Sequence, residues 1–352
     1  MKIKHAILAS LTLGLVFTSC ENGDDDNRQS LGDYDRGILI SNEGPFQNGT
    51  GTVSYVSYDL EVAENEIYKK VNGEDLGNIV QSMGFYNKKA FVVVNNSNSI
   101  VVVDRFTFKK LGEIKEGLLN PRYFTAANGK GYVTNWGDPN DNNDDFVAII
   151  NLVDFTVEGT IPVEFGPEVL EEENDMVYVV HQGAWGYNNK ISVIDPASDK
   201  VVKTIPVGDV PNSIAFDDAD NLWVMCGGKP EYSGAESNGM LVKINTATNT
   251  VANTFEFTTT DHPKQLDIED NIIYYALNKN IYSMPASAAS LPTSALLENV
   301  SFYAMRVDDE KLYGTDAKDF NSRGDLTIYN LNSKEIIKTI PVGIIPGGIY
   351  FN

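Results

Sequence analysis

Thr204-Ile205-Pro206-Val207-Gly208-Asp209-Val210-Pro211-Asn212-Ser213-Ile214 reads as the end of one short strand, a tight Pro/Gly turn and the start of the next strand. Thr339-Ile340-Pro341-Val342-Gly343-Ile344-Ile345-Pro346-Gly347-Gly348-Ile349 is a near copy, and Thr160-Ile161-Pro162-Val163-Glu164-Phe165-Gly166-Pro167 a looser one. The first two copies in the chain start 44 residues apart, and the last starts 135 residues further on, three times 45. A fixed period in the mid-forties, made of short strands, predicts a β-propeller blade repeated around an axis.

Working outward, strand-like runs with polar breaks fill the chain from Gly37 to Asn352. Those 316 residues hold seven units of about 45, so the prediction is an all-β, seven-bladed propeller of four-stranded antiparallel blades over 37–352. Met176-Val177-Tyr178-Val179-Val180 is continuously apolar, as expected of a strand covered on both faces. Lys200-Val201-Val202-Lys203-Thr204-Ile205 reads as an outer strand with one wet face. Third strands end in Val193-Ile194-Asp195 or Val102-Val103-Asp104, where the aspartate can close the following turn. The only helical turn expected lies near Ala286–Ala295. Gly37–Ser41 looks like a second strand without a first, and Pro346–Phe351 like a first strand without a second. The C-terminal strand is therefore expected to close the first blade, removing two open sheet edges.

The first residues read differently. Lys2 and Lys4 precede an apolar run, Ala6 to Phe17, too short to span a bilayer, and Thr18-Ser19-Cys20 follows. This is the arrangement of a lipoprotein signal peptide over 1–19, cleaved so that Cys20 carries the lipid. Residues 20–36, with the acidic run Glu21-Asn22-Gly23-Asp24-Asp25-Asp26, read as a solvated tether. The run resembles the export tag of Bacteroidota surface lipoproteins, which implies lipid anchoring at the outer face of the outer membrane. The net charge of −22 argues against nucleic-acid binding and against adsorption to anionic lipid, so membrane contact is expected through the acyl anchor only. Beyond Cys20 the one cysteine is Cys226, beside Leu222-Trp223-Val224-Met225, and it reads as a buried small hydrophobe.

In a propeller the loops joining second to third strands, and one blade to the next, share a face. Several second-to-third loops here are long and carry aromatic residues: Phe46, Trp136, Trp185, Tyr187, Tyr232 and Phe320. Together with Arg323, His181 and Arg122 they are expected to floor a wide, partly apolar, amide-rich cup. Taken one at a time, such a ring could equally tuck inward to seal a blade tip. The blade-to-blade turns add Gln81, Arg122, Glu168, Asn212, Lys264 and Arg306 near the axis, where they could simply solvate the channel. Asp138, Asn140, Asn142 and Asp144 alternate in a loop whose oxygens suit Ca²⁺ as a structural ion, although the glycine and distal glutamate of an EF-hand loop are missing. With only His181 and His262 outside the leader, a multi-histidine metal site is excluded, and there is no nucleophile triad or phosphate loop. No cofactor is required by this reading, and no enzymatic activity is expected.

The repeat that ends a strand in Val193-Ile194-Asp195 and continues as Thr204-Ile205-Pro206-Val207-Gly208 with Pro211 resembles that of the YncE-like seven-bladed propellers. With the lipidated Cys20 and the acidic tag, the chain is similar to the BtuG-type surface lipoproteins. That resemblance implies a ligand-binding protein that captures cobalamin or a related corrinoid and passes it to a BtuB-like TonB-dependent transporter. The aromatic-loop site comes from the residues themselves, not from the resemblance. The alternative is a surface glycan-binding or adhesion propeller, which also exposes aromatic rings.

Overall fold

The structure is a computed structural model and describes residues 29–46, 49–138, 140–258 and 261–352. Cys20 and the leader lie outside these residues. Seven four-stranded antiparallel sheets surround a central axis. From inner to outer strand, blade 4 is Pro167–Glu173, Met176–His181, Lys190–Asp195 and Lys200–Pro206. Blades 2, 3, 5, 6 and 7 follow the same order, with inner strands Val80–Tyr86, Pro121–Ala127, Pro211–Phe216, Lys264–Glu269 and Met305–Asp308.

Blade 1 is built from both ends of the chain, as the sequence predicts. Its inner strand is Pro346–Phe351, paired antiparallel with Gly37–Asn42 through Ile38↔Phe351, Leu39↔Tyr350 and Ile40↔Ile349. Asn352 adds side-chain bonds from Nδ2 to the Tyr34 and Arg105 carbonyls at 2.6 and 2.9 Å. Tyr34 is itself buried, edge-on to Tyr55 and Phe108. The described part of the stretch read as tether thus ends packed on blade 1.

The second strands carry the core. Phe91–Val94 and Val177–Val180 are buried on both faces, because each blade packs its two faces on two neighbours. The seam between blades 7 and 1 is closed by Ile38, Ile40, Val56, Leu326, Ile328, Ile340, Val342 and Ile349.

The repeat motif has a local explanation. The proline sits at the first residue of an inner strand, where its missing N–H costs no ladder bond. The residue before it turns the chain with positive φ: 56° at Val210, 54° at Ile345 and 52° at Asn120. Gly208 is required because a Cβ there would lie 2.9 Å from Cys226 Cβ. Asp104 and Asp195 close their turns by accepting backbone N–H bonds from Thr107 and Ala197. In five blades the outer strand bulges at an equivalent position, and in three of them this leaves Leu111, Val202 and Ile337 unpaired and exposed. Such bulges twist an edge strand away from pairing with another sheet.

The helical expectation needs correcting. Residues 286–296 are turns and bends, and the one α-helix among the described residues is Ile67–Asn72, between blades 1 and 2. Its propensity is ordinary. It is held by the burial of Ile67 and Tyr68 in the blade 1–2 core, which local sequence does not announce.

Candidate functional site

The second-to-third loops and the blade-to-blade turns share one face, as the antiparallel order requires. Phe46, Trp136, Trp185, Tyr187, Tyr232 and Phe320 all stand on loops of that face. Trp185 and Tyr232 are the most open, at 78% and 87% exposure, with Phe46 and Phe320 also exposed.

Trp136 is the fixed point. Its Nε1 donates to the Pro167 carbonyl at 3.0 Å, and its edge meets Trp185 at 6.0 Å between centroids. The Arg122 guanidinium lies 4.0 Å from its ring centre. Arg122 is in turn engaged at all three nitrogens: Nε donates to both Glu168 oxygens at 3.2 Å, one terminal nitrogen to Gln81 Oε1 at 2.6 Å, and the other lies 3.1 Å from Glu168 Oε1. The expectation that Arg122 faces a ligand therefore needs correcting. It is enclosed between Glu168, Gln81 and Trp136, so it positions Trp136. Burial pushes the Glu168 carboxyl above its ordinary range, and Arg122 pulls it back. On the opposite side of the mouth Tyr303 donates to Glu43 Oε1 at 2.9 Å and meets Phe320 edge-on at 5.6 Å.

Between blades 4, 5 and 6 the face opens into a cavity of about 560 Å³. Trp185, Tyr187, Pro230, Tyr232, His262 and Lys264 are among its walls. His262 Nδ1–H donates to the Gly227 carbonyl at 2.7 Å, which fixes its ring with Nε2 toward Glu236 at 3.3 Å. A concave apolar wall with a few convergent polar groups is the usual form of a ligand pocket.

An axial channel of about 660 Å³ runs down the centre, lined by inner strands of all seven blades, and it meets the rim cavity at Asn212 and Lys264. Asn212 and Lys264 line it, and Gln81, Arg122 and Glu168 form a bonded cluster on the adjoining inner strands of blades 2 to 4. Blade 7 departs from the expected ring. Ala304 N bonds Thr315 Oγ1 just as Tyr123 N bonds Thr134 Oγ1, which aligns Tyr303, not Arg306, with Arg122. Arg306 sits three residues deeper, 3.4 Å from Asp267 by Nε···Oδ2.

Two further expectations need correcting. His181 is not a loop residue: it ends the second strand of blade 4 with no exposed surface, and Nε2 is hydrogen-bonded to Ser192 Oγ at 2.8 Å. Burial pushes its pKa down to about 4, so it is a neutral core histidine. Arg323 begins a strand rather than lying in a loop, and its Nε donates to the Val342 carbonyl at 2.9 Å.

In the 138–145 loop two of the carboxylates close turns, while Asp144 Oδ1 is buried without a hydrogen-bond partner among the described residues. Asp138 Oδ1 accepts from Asn140 N at 3.0 Å, and Asp144 Oδ2 accepts from Asp138 N at 2.8 Å. Among the described residues no group of three or more His, Cys, Asp or Glu is arranged to hold a metal ion. Tyr303, Glu43 and His262 are the rim residues that sequence reasoning misses. Tyr303 follows Phe302 where five of the other six blades have proline (blade 2 has Val80), which hides the blade turn, but alignment on Thr315 finds it.

Residues 36–342 match the family model described as "Domain of unknown function (DUF5074)". No curated protein matches. Among solved structures, a functionally unknown protein from Desulfotomaculum acetoxidans DSM 771 superposes with TM-score 0.65 and 12% identity, covering 90% of this chain and 98% of that one. The computationally designed Ika8 protein gives 0.59 and 8%, covering 92% and 98%. Kuenenia stuttgartiensis hydrazine synthase gives 0.59 and 16%, covering 75% and 87%. At these identities the likeness is one of fold alone.

Proposed function

The chain belongs to the DUF5074 family, and from that premise we propose that it is a non-catalytic, cell-surface capture protein for cobalamin or a related corrinoid. The observation that carries the reading is the one-sided rim: six aromatic residues on loops of a single face, four of them on adjacent blades 3 to 5, and a cavity of about 560 Å³ walled by Trp185, Tyr187 and Tyr232. A corrinoid is a rigid disc with apolar faces and an amide rim. Exposed flat rings suit its faces, and Asn212, Gln182 and Lys264 in the cavity wall suit its amides. Loops held by a closed ring of sheets lower the ordering cost of binding. The motif resemblance to YncE-like propellers of the BtuG type and the lipoprotein-like leader support the same reading, and they supply the partner: a BtuB-like TonB-dependent transporter in the outer membrane, with Cys20 as the anchor.

A glycan-binding reading is favoured by one observation, the near-complete exposure of Trp185 and Tyr232, since sugar rings stack on open aromatics. Calorimetric titration of residues 30–352 with cyanocobalamin, beside a glycan array, decides between the two. Saturable binding of cyanocobalamin supports capture. A silent titration at about micromolar ligand with a positive array replaces it by the glycan reading.

A further inference from the structure

The rim reading leaves the deep channel unused. Glu171, on the inner strand of blade 4, lines it, and among the described residues its carboxylate has no hydrogen bond or ion pair. Arg306, on blade 7, lines it too. Its only ion-pair contact among the described residues is Nε to Asp267 at 3.4 Å, and no hydrogen bond from its terminal nitrogens reaches a described residue. Asp267 is already served by the Val307 N–H at 2.6 Å. Burial pushes the Glu171 carboxyl up to about 7, with the Arg306 charge opposing. The two groups sense each other across the channel without touching.

The wall is mixed: Met83, Phe124 and Phe351 supply apolar and aromatic surface, and Thr125, Ser213, Lys264 and Gln265 supply polar groups. Free donors on a cation whose side chain is 46% exposed, and free acceptors on an anion, both lining one water-accessible channel, suit a guest that carries both charges. A pure anion would leave Glu171 unmet, and a pure cation would leave Arg306 unmet. Either guest would cover the other group without supplying its partner. The space is large enough for such a guest with an apolar side group.

We propose that the axial channel is a second ligand site, distinct from the rim, that takes an α-amino acid with an apolar side chain. The carboxylate goes to the terminal nitrogens of Arg306, the ammonium to Glu171 and Asp267, and the side chain to the aromatic wall. Arginine is suited to a carboxylate because its planar fork donates to it through two parallel bonds.

Isothermal titration of the full chain with L-phenylalanine and with L-leucine tests this. Phenylpropanoate, which lacks the ammonium, and phenethylamine, which lacks the carboxylate, serve as controls. The expected result is saturable binding of at least one amino acid with a Kd below about 1 mM, and at least about tenfold weaker binding of both controls. Arg306→Met and Glu171→Gln should each weaken amino-acid binding at least about tenfold while leaving the cyanocobalamin titration of the same sample unchanged. That second titration separates failure here from failure of the rim. No binding of either amino acid by about 10 mM overturns the proposal, as do controls that bind as well as the amino acids. The control ligands are titrated into the wild-type protein, so they decide the question even if a variant does not fold.

Discussion

Ile349→Ala probes the join between the two ends of the chain. Ile349 is 4% exposed and sits on the last strand, opposite Ile40 and within the apolar seam between blades 7 and 1. Truncation removes three carbon groups at about 0.8 kcal/mol each, about 2.4 kcal/mol of transfer free energy. The seam is walled by rigid β-branched residues on four other strands, so it relaxes little, and the residual cavity brings the total to about 3 kcal/mol. Urea denaturation followed by far-UV circular dichroism reads this directly. With a slope of about 3 kcal/mol per molar, the midpoint should fall by about 1 M with the slope unchanged. Ile336→Ala, at 56% exposure on the outer strand of blade 7, should stay within about 0.5 kcal/mol of the parent. If Ile349→Ala behaves like Ile336→Ala, the terminal strand does not close the ring and the argument from chain ends fails.

Arg122→Met should cost about 3–5 kcal/mol, because it leaves Glu168 buried without its counter-ion, and double substitution with Glu168→Gln should recover much of that loss in thermal melts. For Glu171 the folded pKa of about 7 lies above the unfolded carboxylate value, so its contribution to stability is present below about pH 4 and is lost as pH rises through about 7. Its charged neighbours are Arg306, Asp267 and Glu173, and Glu171→Gln should flatten the stability profile between about pH 5 and 8. Asp217 runs the other way. Burial raises it, but hydrogen bonds from Trp223, Lys243 and Asn221 outweigh that and hold it near 2, so its contribution is lost only as pH falls toward that value. Burial pushes the Cys226 thiol up to about 12, so iodoacetamide should label it only after unfolding, which mass spectrometry reads.

The ring was legible because its signals are local and repeated. The Thr-Ile-Pro-Val-Gly turn, the continuously apolar second strands and the mismatched chain ends each require the same architecture. Much of the rim was legible too, since large aromatics in loops violate the usual polarity of loops. Positions decided by tertiary contact were not. His181 looks like the first residue of a polar loop, yet the register Pro167↔His181 carries it into the sheet. Arg122 looks like a free cation at a mouth, and only the approach of Glu168 and Trp136 shows it paired and stacked. Arg306 looks like a mouth residue because blade 7, with Phe302, lacks the proline that marks the turn in five other blades. The helix Ile67–Asn72 has no amphipathic length to announce it, and Glu66 at its start makes no side-chain cap bond.

The claim that the aromatic face grips a corrinoid is tested most directly by calorimetry with cyanocobalamin on the parent protein and on the triple variant Phe46→Ala, Trp136→Ala, Trp185→Ala. The account predicts saturable binding by the parent and at least about a hundredfold weaker binding by the variant, with the far-UV spectrum unchanged. Equal affinity in the two proteins, or no heat from the parent at about micromolar ligand, contradicts it.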